Sequence, residues 1–248
     1  MSDTIFYIEK IDSTNSYVKR NFASLPKGAL VFAGEQTSGR GRLGRSWHSP
    51  AGKNFYGTAV MKEVANGLDA NIILSLAALA TIKLFDQRLD CFIKWPNDIY
   101  IENRKLAGML SEGILDATNT LIGVAAGIGI NINMTADELA AIDCPAASIF
   151  AESGRKIEID FFAKELAFAL HQELAEYSRS PAEQFTRWRA ANRLIGKNIE
   201  ITLGGERLKG LFKDVTPTGE MVFETADGIK NVSVADVHIV KESLINVV

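Results

Sequence analysis

Residues 4–11 mix Ile5, Phe6, Tyr7, Ile8 and Ile11 with the polar Thr4, Glu9 and Lys10, and this predicts a short strand. The cluster Asp12-Ser13-Thr14-Asn15 is rich in helix N-cap residues and predicts a helix to about residue 24. A turn at Pro26-Lys27-Gly28 precedes a compact apolar strand at 29–33, and another strand is expected at 55–62. Between those two strands the pattern breaks down: residues 34–53 hold five glycines and three arginines. Helical spacing returns over 68–89 through Ile72, Leu76, Leu79, Ile82 and Leu84, with Asp69 as the expected cap.

From 91 to 132 the period shortens again. Segments 92–94, 99–101, 105–115 and 120–132 read as strands, separated by turn signals at Pro96-Asn97-Asp98, Glu102-Asn103-Arg104 and Ala117-Thr118-Asn119. Such short connections favour antiparallel hairpins over crossover helices. A helix is expected over 160–179, and Ser180-Pro181-Ala182-Glu183 has the form of a capping box with proline at the first helical position of the next. Beyond 192–196 the chain is strands and glycine-bearing turns only: 197–203, 207–215, 221–225, 230–234 and 237–240. That is the pattern of a small barrel, marginally stable alone and expected to lean on the larger part. The fold class is thus α+β: a mixed, largely antiparallel sheet with helices on one side, then the barrel. The division falls into a domain at 1–193 and a second at 194–248.

Composition narrows the classes. With 47% hydrophobic and 23% charged residues the chain is an ordinary globular protein, not a disordered, collagenous or coiled-coil one. A net charge of -3 makes the whole protein no match for nucleic acid, so any polyanion must meet a local patch. Cys91 and Cys144 cannot form a disulfide framework, and with no secretory signal at the N-terminus the cytoplasm is the expected compartment. The apolar stretch 71–85 is broken by Ser75, Thr81 and Lys83 and reads as a core helix too short to span a bilayer.

The chemistry concentrates in three places. GRGRLGR at 39–45 interleaves glycines, which let backbone approach a ligand closely, with guanidinium forks suited to phosphate or carboxylate. It lacks the ending of a Walker loop and the spacing of a Rossmann turn, and it lies between predicted strands, so an anion cradle fits better than a solvated basic tract. KWPND at 94–98 and RKLAG at 104–108 place Lys94 and Lys105 at strand ends, where a lysine polarises a carbonyl or neutralises a phosphate; Asn97 and Asp98 equally suit a plain turn. GIGININ at 127–133 puts Asn131 and Asn133 on one face, or is simply a strand packed closely on another backbone. The three histidines have no metal-ligand spacing, and no nucleophile elbow occurs. Arginines without a protein nucleophile favour a substrate that itself attacks an activated phosphate, as in adenylate formation or phosphoryl transfer.

Taken in order, Ser13-Thr14-Asn15, GRGRLGR followed by Trp47, KWPNDIY at 94–100, RKLAG and GIGIN closely resemble the biotin protein ligases, the biotin–[acetyl-CoA-carboxylase] ligases. The resemblance covers nearly the whole chain, and the terminal module is similar to that family's SH3-like barrel. It implies a class II synthetase-like core that joins biotin to the α-phosphate of ATP with Mg2+, then passes biotin to a lysine of a biotin carboxyl carrier protein. It further implies that Ser13, Thr14, Asn15, Gln36, Gly39, Arg40, Gly41, Gly108, Leu110 and Gly127 surround biotin. Arg42, Arg45, Trp47, Asn97, Gly129 and Asn131 would serve the ATP and adenylate side. Lys105 would bridge biotin carboxylate and α-phosphate, with Arg42 and Asp98 as its catalytic companions. Magnesium ligands stay unassigned, the ion being expected mainly on substrate phosphates.

Some members of that family carry an N-terminal helix-turn-helix repressor domain. Here the first strand begins by Thr4, so a form without it, binding no DNA and no membrane, is expected. Lipoate or octanoate transfer on the related fold and a non-catalytic nucleotide-binding module are the competing readings. Monomer and homodimer both remain open.

Overall fold

The computed structural model describes residues 4–233 and 236–238 of the chain. Twelve strands and six helices are described. A seven-stranded sheet is built from β1 (Ile5–Ile11), β2 (Leu30–Gln36), β3 (Phe55–Met61), β4 (Cys91–Lys94), β5 (Asp98–Ile101), β6 (Arg104–Leu115) and β7 (Leu121–Ile130). Their spatial order is β1-β2-β3-β7-β6-β5-β4; β1 runs parallel to β2 and every other pair is antiparallel. The helices are α1 (Thr14–Asn21), α2 (Gly67–Phe85), α3 (Ala136–Ala140), α4 (Ile149–Ser153), α5 (Ile159–Arg179) and α6 (Pro181–Ala190). Strands β8 (Lys197–Leu203), β9 (Glu206–Val215), β10 (Met221–Thr225), β11 (Gly228–Val232) and β12 (Asp236–His238) form a second, wholly antiparallel sheet in the order β11-β10-β9-β8-β12. The predicted strand ends at Val234 and at Ile239-Val240 lie outside the described residues. The mixed, largely antiparallel sheet with helices and a small C-terminal β-module is the architecture expected.

Strand alternation decides what each face meets. On β3, Phe55, Ala59 and Met61 enter the main core under α2 and α5, whereas Val60 joins a smaller cluster with Val18 and Phe22 of α1. Helix α1 therefore packs on the opposite face from α2 and α5, so helices cover both faces and not one. The expectation failed because α1 has eight residues and only a few apolar ones, too weak a pattern to name its face. Helix α2 ends at Phe85, before the end predicted at 89. Its 19 residues are long and apolar enough to cross a membrane by length and composition, but twelve of them are buried against the sheet and α5, which makes it the core helix.

Its cap is Asn66, whose side chain accepts from the amides of Leu68 and Asp69, and not Asp69 itself. The reciprocal capping box closes at Thr135 and Glu138, ahead of a helix too short to show a period. At Ser180 the hydroxyl accepts from Glu183 N at 3.4 Å.

The small sheet leans on the large one. Phe212, Phe223, Ile199 and Ile201 belong to the same buried cluster as α2. Trp95 in the turn after β4 is fully buried, packs edge-on against Phe212 with ring centroids 6.3 Å apart, and donates from Nε1 to Gly219 O at 2.9 Å.

Candidate active site

The α1 face of the sheet carries glycine where a side chain would stand. On neighbouring strands Gly127 pairs with Leu110, and Gly129 with Gly108, which clears a strip of bare backbone. That strip is taken by motif side chains. A Cβ on Gly127 would lie 2.1 Å from Asn15 Oδ1, and one on Gly129 would lie 2.3 Å from the Trp47 indole. Gly108 likewise makes room for the Lys105 ammonium. The glycines thus seat Asn15, Trp47 and Lys105 directly on the sheet.

Polar groups at the N-terminus of α1 are knitted to this floor. Thr14 N donates to Gln36 Oε1 at 2.9 Å, and Gln36 Nε2 donates to Ser49 Oγ at 3.2 Å. The Thr58 hydroxyl, fully buried in mid-β3, lies 2.8 Å from Thr14 Oγ1 and 2.6 Å from Asn15 Oδ1. Asn15 Nδ2 donates to Leu110 O at 3.0 Å and to Glu112 Oε2 at 2.8 Å, so both amide hydrogens are spent inside the protein. Ser13, the N-cap of α1, makes no capping bond with its side chain and lines the cleft.

The arginines of the 39–45 loop reach three different bodies. Arg40 donates to Ser16 Oγ at 2.9 Å and to Glu112 Oε2 at 3.0 Å. Arg42 donates to Asn97 Oδ1 at 2.7 Å, and Arg45 pairs at 2.5 Å with Asp236 on β12 of the small sheet. Burial draws the Arg42 guanidinium below its ordinary value against the opposing pull of Asp98 and Asp236, yet it starts so high that it stays charged. Burial opposes the charge on Glu112, but hydrogen bonds from Asn15, Arg40 and Lys19 outweigh it and hold the carboxyl below its usual range.

The remaining cations gather beside the β4–β5 turn. Lys105 Nζ lies 2.8 Å from Asp98 Oδ1 and 5.3 Å from the centre of the Trp47 ring. Lys94 is buried, 4.4 Å over the Tyr100 ring and 3.2 Å from its hydroxyl; burial brings its ammonium down to about 8. Asn97 Nδ2 donates to Met109 O at 2.5 Å, and Asn131 Nδ2 to Ala147 O at 3.0 Å.

Every candidate named from the sequence, from Ser13 to Asn131, lines one cleft of about 1010 Å³, with Asp236, Val237 and His238 of the small sheet on its wall. Two neighbours of the motifs do not. Arg104 is tied to Glu152 at 2.6 Å as a clamp on α4, and Asn133 exchanges hydrogen bonds with the Ile157 backbone. Cys144 is exposed at the cleft rim, while Cys91 is buried in the core, where desolvation pushes its thiol up to about 12. Thr58, Glu112 and Asp236 escaped the sequence reading. No local motif marks them, because their partners lie between 43 and 191 residues away.

Comparison with known proteins shows the family of the chain. The model of the biotin/lipoate A/B protein ligase family matches residues 7–131, and that of the biotin protein ligase C-terminal domain matches 194–239. A biotin–[acetyl-CoA-carboxylase] ligase of Paracoccus denitrificans is 32% identical over 93% of this chain and 98% of its own. The bifunctional ligase/repressor BirA of Escherichia coli is 30% identical over 88% of this chain and 68% of its own. In fold, the biotin protein ligase of Aquifex aeolicus, solved with biotin and ATP, superposes with a TM-score of 0.77 at 23% identity, covering 94% of this chain and 97% of that one. The chain belongs to the biotin/lipoate A/B protein ligase family, and within it to the biotin protein ligases, whose C-terminal domain it carries.

Proposed function

We propose that the protein activates biotin with ATP and transfers it to a lysine of a biotin carboxyl carrier protein of acetyl-CoA carboxylase. In the first step a biotin carboxylate oxygen attacks the α-phosphorus, the bond to the bridging oxygen breaks, and pyrophosphate leaves with the electron pair. In the second, the carrier's amine attacks the acyl carbon of the mixed anhydride and loses a proton as AMP departs. The observation that carries this reading is the seating of Lys105 on the glycine floor, at the junction between the Asn15 end of the cleft and the arginines. A lysine there neutralises charge that builds where carboxylate and phosphate meet, in a site already shaped for it.

Ser13, Thr14, Gln36 and the strip at Gly108, Leu110 and Gly127 would receive the biotin head. Arg40 would lie beside it, with Gly39 and Gly41 letting the loop backbone come close. Arg42, Arg45, Asn97, Gly129 and Asn131 would serve the nucleotide, and Trp47 would cover it. Mg2+ would be carried mainly by the ATP phosphates, with Asp98, which pairs with Lys105 at 2.8 Å, as the carboxylate closest to that lysine. The ion would supply charge neutralisation on the leaving pyrophosphate. We place its work in the cytoplasm, in line with the N-terminus lacking a secretory signal pattern.

Biotin-dependent exchange of labelled pyrophosphate into ATP tests the reading. Exchange that needs biotin and ignores lipoate supports it. Exchange with lipoate instead would assign the protein to the other branch of the family, and binding of ATP without exchange would leave a nucleotide-binding module.

A further inference from the structure

Three elements meet at one oxygen atom. Glu112 Oε2, on β6, accepts from Asn15 Nδ2 at 2.8 Å and from Arg40 Nη2 at 3.0 Å. Asn15 belongs to the floor at the biotin end, where it rests on Gly127, and Arg40 belongs to the arginine-glycine loop. The other oxygen, Oε1, accepts from Lys19 Nζ at 3.2 Å on the outer side of α1. Arg40 is braced in turn by Ser16 Oγ at 2.9 Å, so both its terminal nitrogens are held toward α1 and β6. The register puts Glu112 opposite Ala125, two residues along β7 from Gly127 and on the same face. Nothing in the motif pattern marks this residue, yet it is the direct link between a buried floor group and a group of the arginine-glycine loop.

Building on the proposed biotin chemistry, we propose that Glu112 is a positioning residue that couples the biotin pocket to the loop. The shared oxygen fixes the Asn15 amide on the glycine floor and at the same time draws Arg40 down against the biotin end. The loop's first arginine is thereby in place before the nucleotide arrives. Arg42 and Arg45, by contrast, are held at the far end by Asn97 and Asp236. Loss of the Glu112 charge should therefore act on biotin binding and on retention of the activated intermediate, and hardly on ATP. In a glutamine the amide oxygen could keep the shared position, but without the negative charge the bond from Arg40 loses its charge assistance and the amide nitrogen is turned toward the Lys19 ammonium.

The test is steady-state pyrophosphate exchange by the full chain, with Glu112→Gln, Glu112→Asp, Lys19→Met, Arg40→Met and the Glu112→Gln/Arg40→Met double variant. Glu112→Gln is expected to raise KM for biotin about tenfold, the loss of one charge-assisted hydrogen bond. It should leave KM for ATP within about twofold and shorten the time the intermediate stays bound. Glu112→Asp should recover part of the biotin affinity, and Lys19→Met should change it by less than about twofold. The double variant should fall short of the product of the two single effects, because the Glu112–Arg40 contact is common to both while the Glu112–Asn15 contact is not. An unchanged KM for biotin in Glu112→Gln, equal rises for biotin and ATP, or effects that multiply in the double variant would overturn the proposal. Should Glu112→Gln fail to fold, Glu112→Asp and the Arg40→Met pair carry the same split. Wild type that shows no biotin-dependent exchange would refute the underlying function and not this coupling.

Discussion

The floor of the cleft and the loop above it hold their polar groups in opposite ways. On the floor, Thr14, Asn15 and Thr58 are buried, and each finds its partner inside the protein. Removing one partner there strands the other away from water, at a cost of about 1–3 kcal/mol. In the loop, Arg45 keeps 64% of its side-chain surface exposed, and its ion pair with Asp236 is of the surface kind, worth about 0–1 kcal/mol. The difference teaches how the proposed site would both recognise and close. A preformed floor needs no reorganisation to receive a ligand, whereas arginines that lose little by leaving Asn97 or Asp236 would exchange readily onto phosphate oxygens. Leu43 in the same loop has a left-handed backbone, with φ of 55°, and an exposed side chain, which adds strain that a rearrangement would relieve.

The comparison breaks first at the lysine where the two regions join. Lys105→Ala should lower the rate of biotin-dependent pyrophosphate exchange about 10²–10³-fold, read under saturating ATP. A smaller effect on the floor follows from Gly127→Ala. The new methyl group must displace Asn15, so the dissociation constant for biotin should rise about tenfold or more, measured by calorimetry, while ATP binding stays put. Alanine at Gly41, whose Cβ would meet only ordinary contacts, should be far milder. Arg42→Gly should leave the activation step active but release the intermediate, so that labelling spreads from the carrier to bystander proteins; labelling confined to the carrier would contradict it.

Acid–base behaviour gives a finer cut. Lys94 is protonated below about pH 8 and neutral above it, so the cleft loses a positive charge as pH rises through that value. KM for ATP should therefore increase above about pH 8, and Lys94→Met should flatten that rise. The smallest effect is expected at the exposed end: Asp236→Asn should alter KM for ATP by less than about threefold, since it removes only a surface ion pair.

How far the sequence revealed this molecule depended on the range of the interactions involved. Strands β4 to β7, helix α5 and the small module were legible because period, turn residues and glycine spacing are local signals. The cleft was legible because its ligating groups come in contiguous motifs, and strand pairing then brings those motifs together. Thr58 and Glu112 fall inside predicted strands with no motif to mark them; both act through partners on other elements. Helices α3 and α4 have five residues each, below the length at which a 3.6-residue period shows. Asp236 reaches the cleft only because the small sheet docks through Trp95 and Phe212, a tertiary event with no local signature.

Hydrogen exchange of the whole chain, free and with biotin plus ATP, tests most directly the claim that the floor is built in advance and the loop is not. Amides of 39–46 should exchange fast in the free protein and slow by at least an order of magnitude with both substrates, while amides of 124–130 stay protected throughout. A floor that gains as much protection as the loop on binding, or a loop already protected without substrates, would contradict the account.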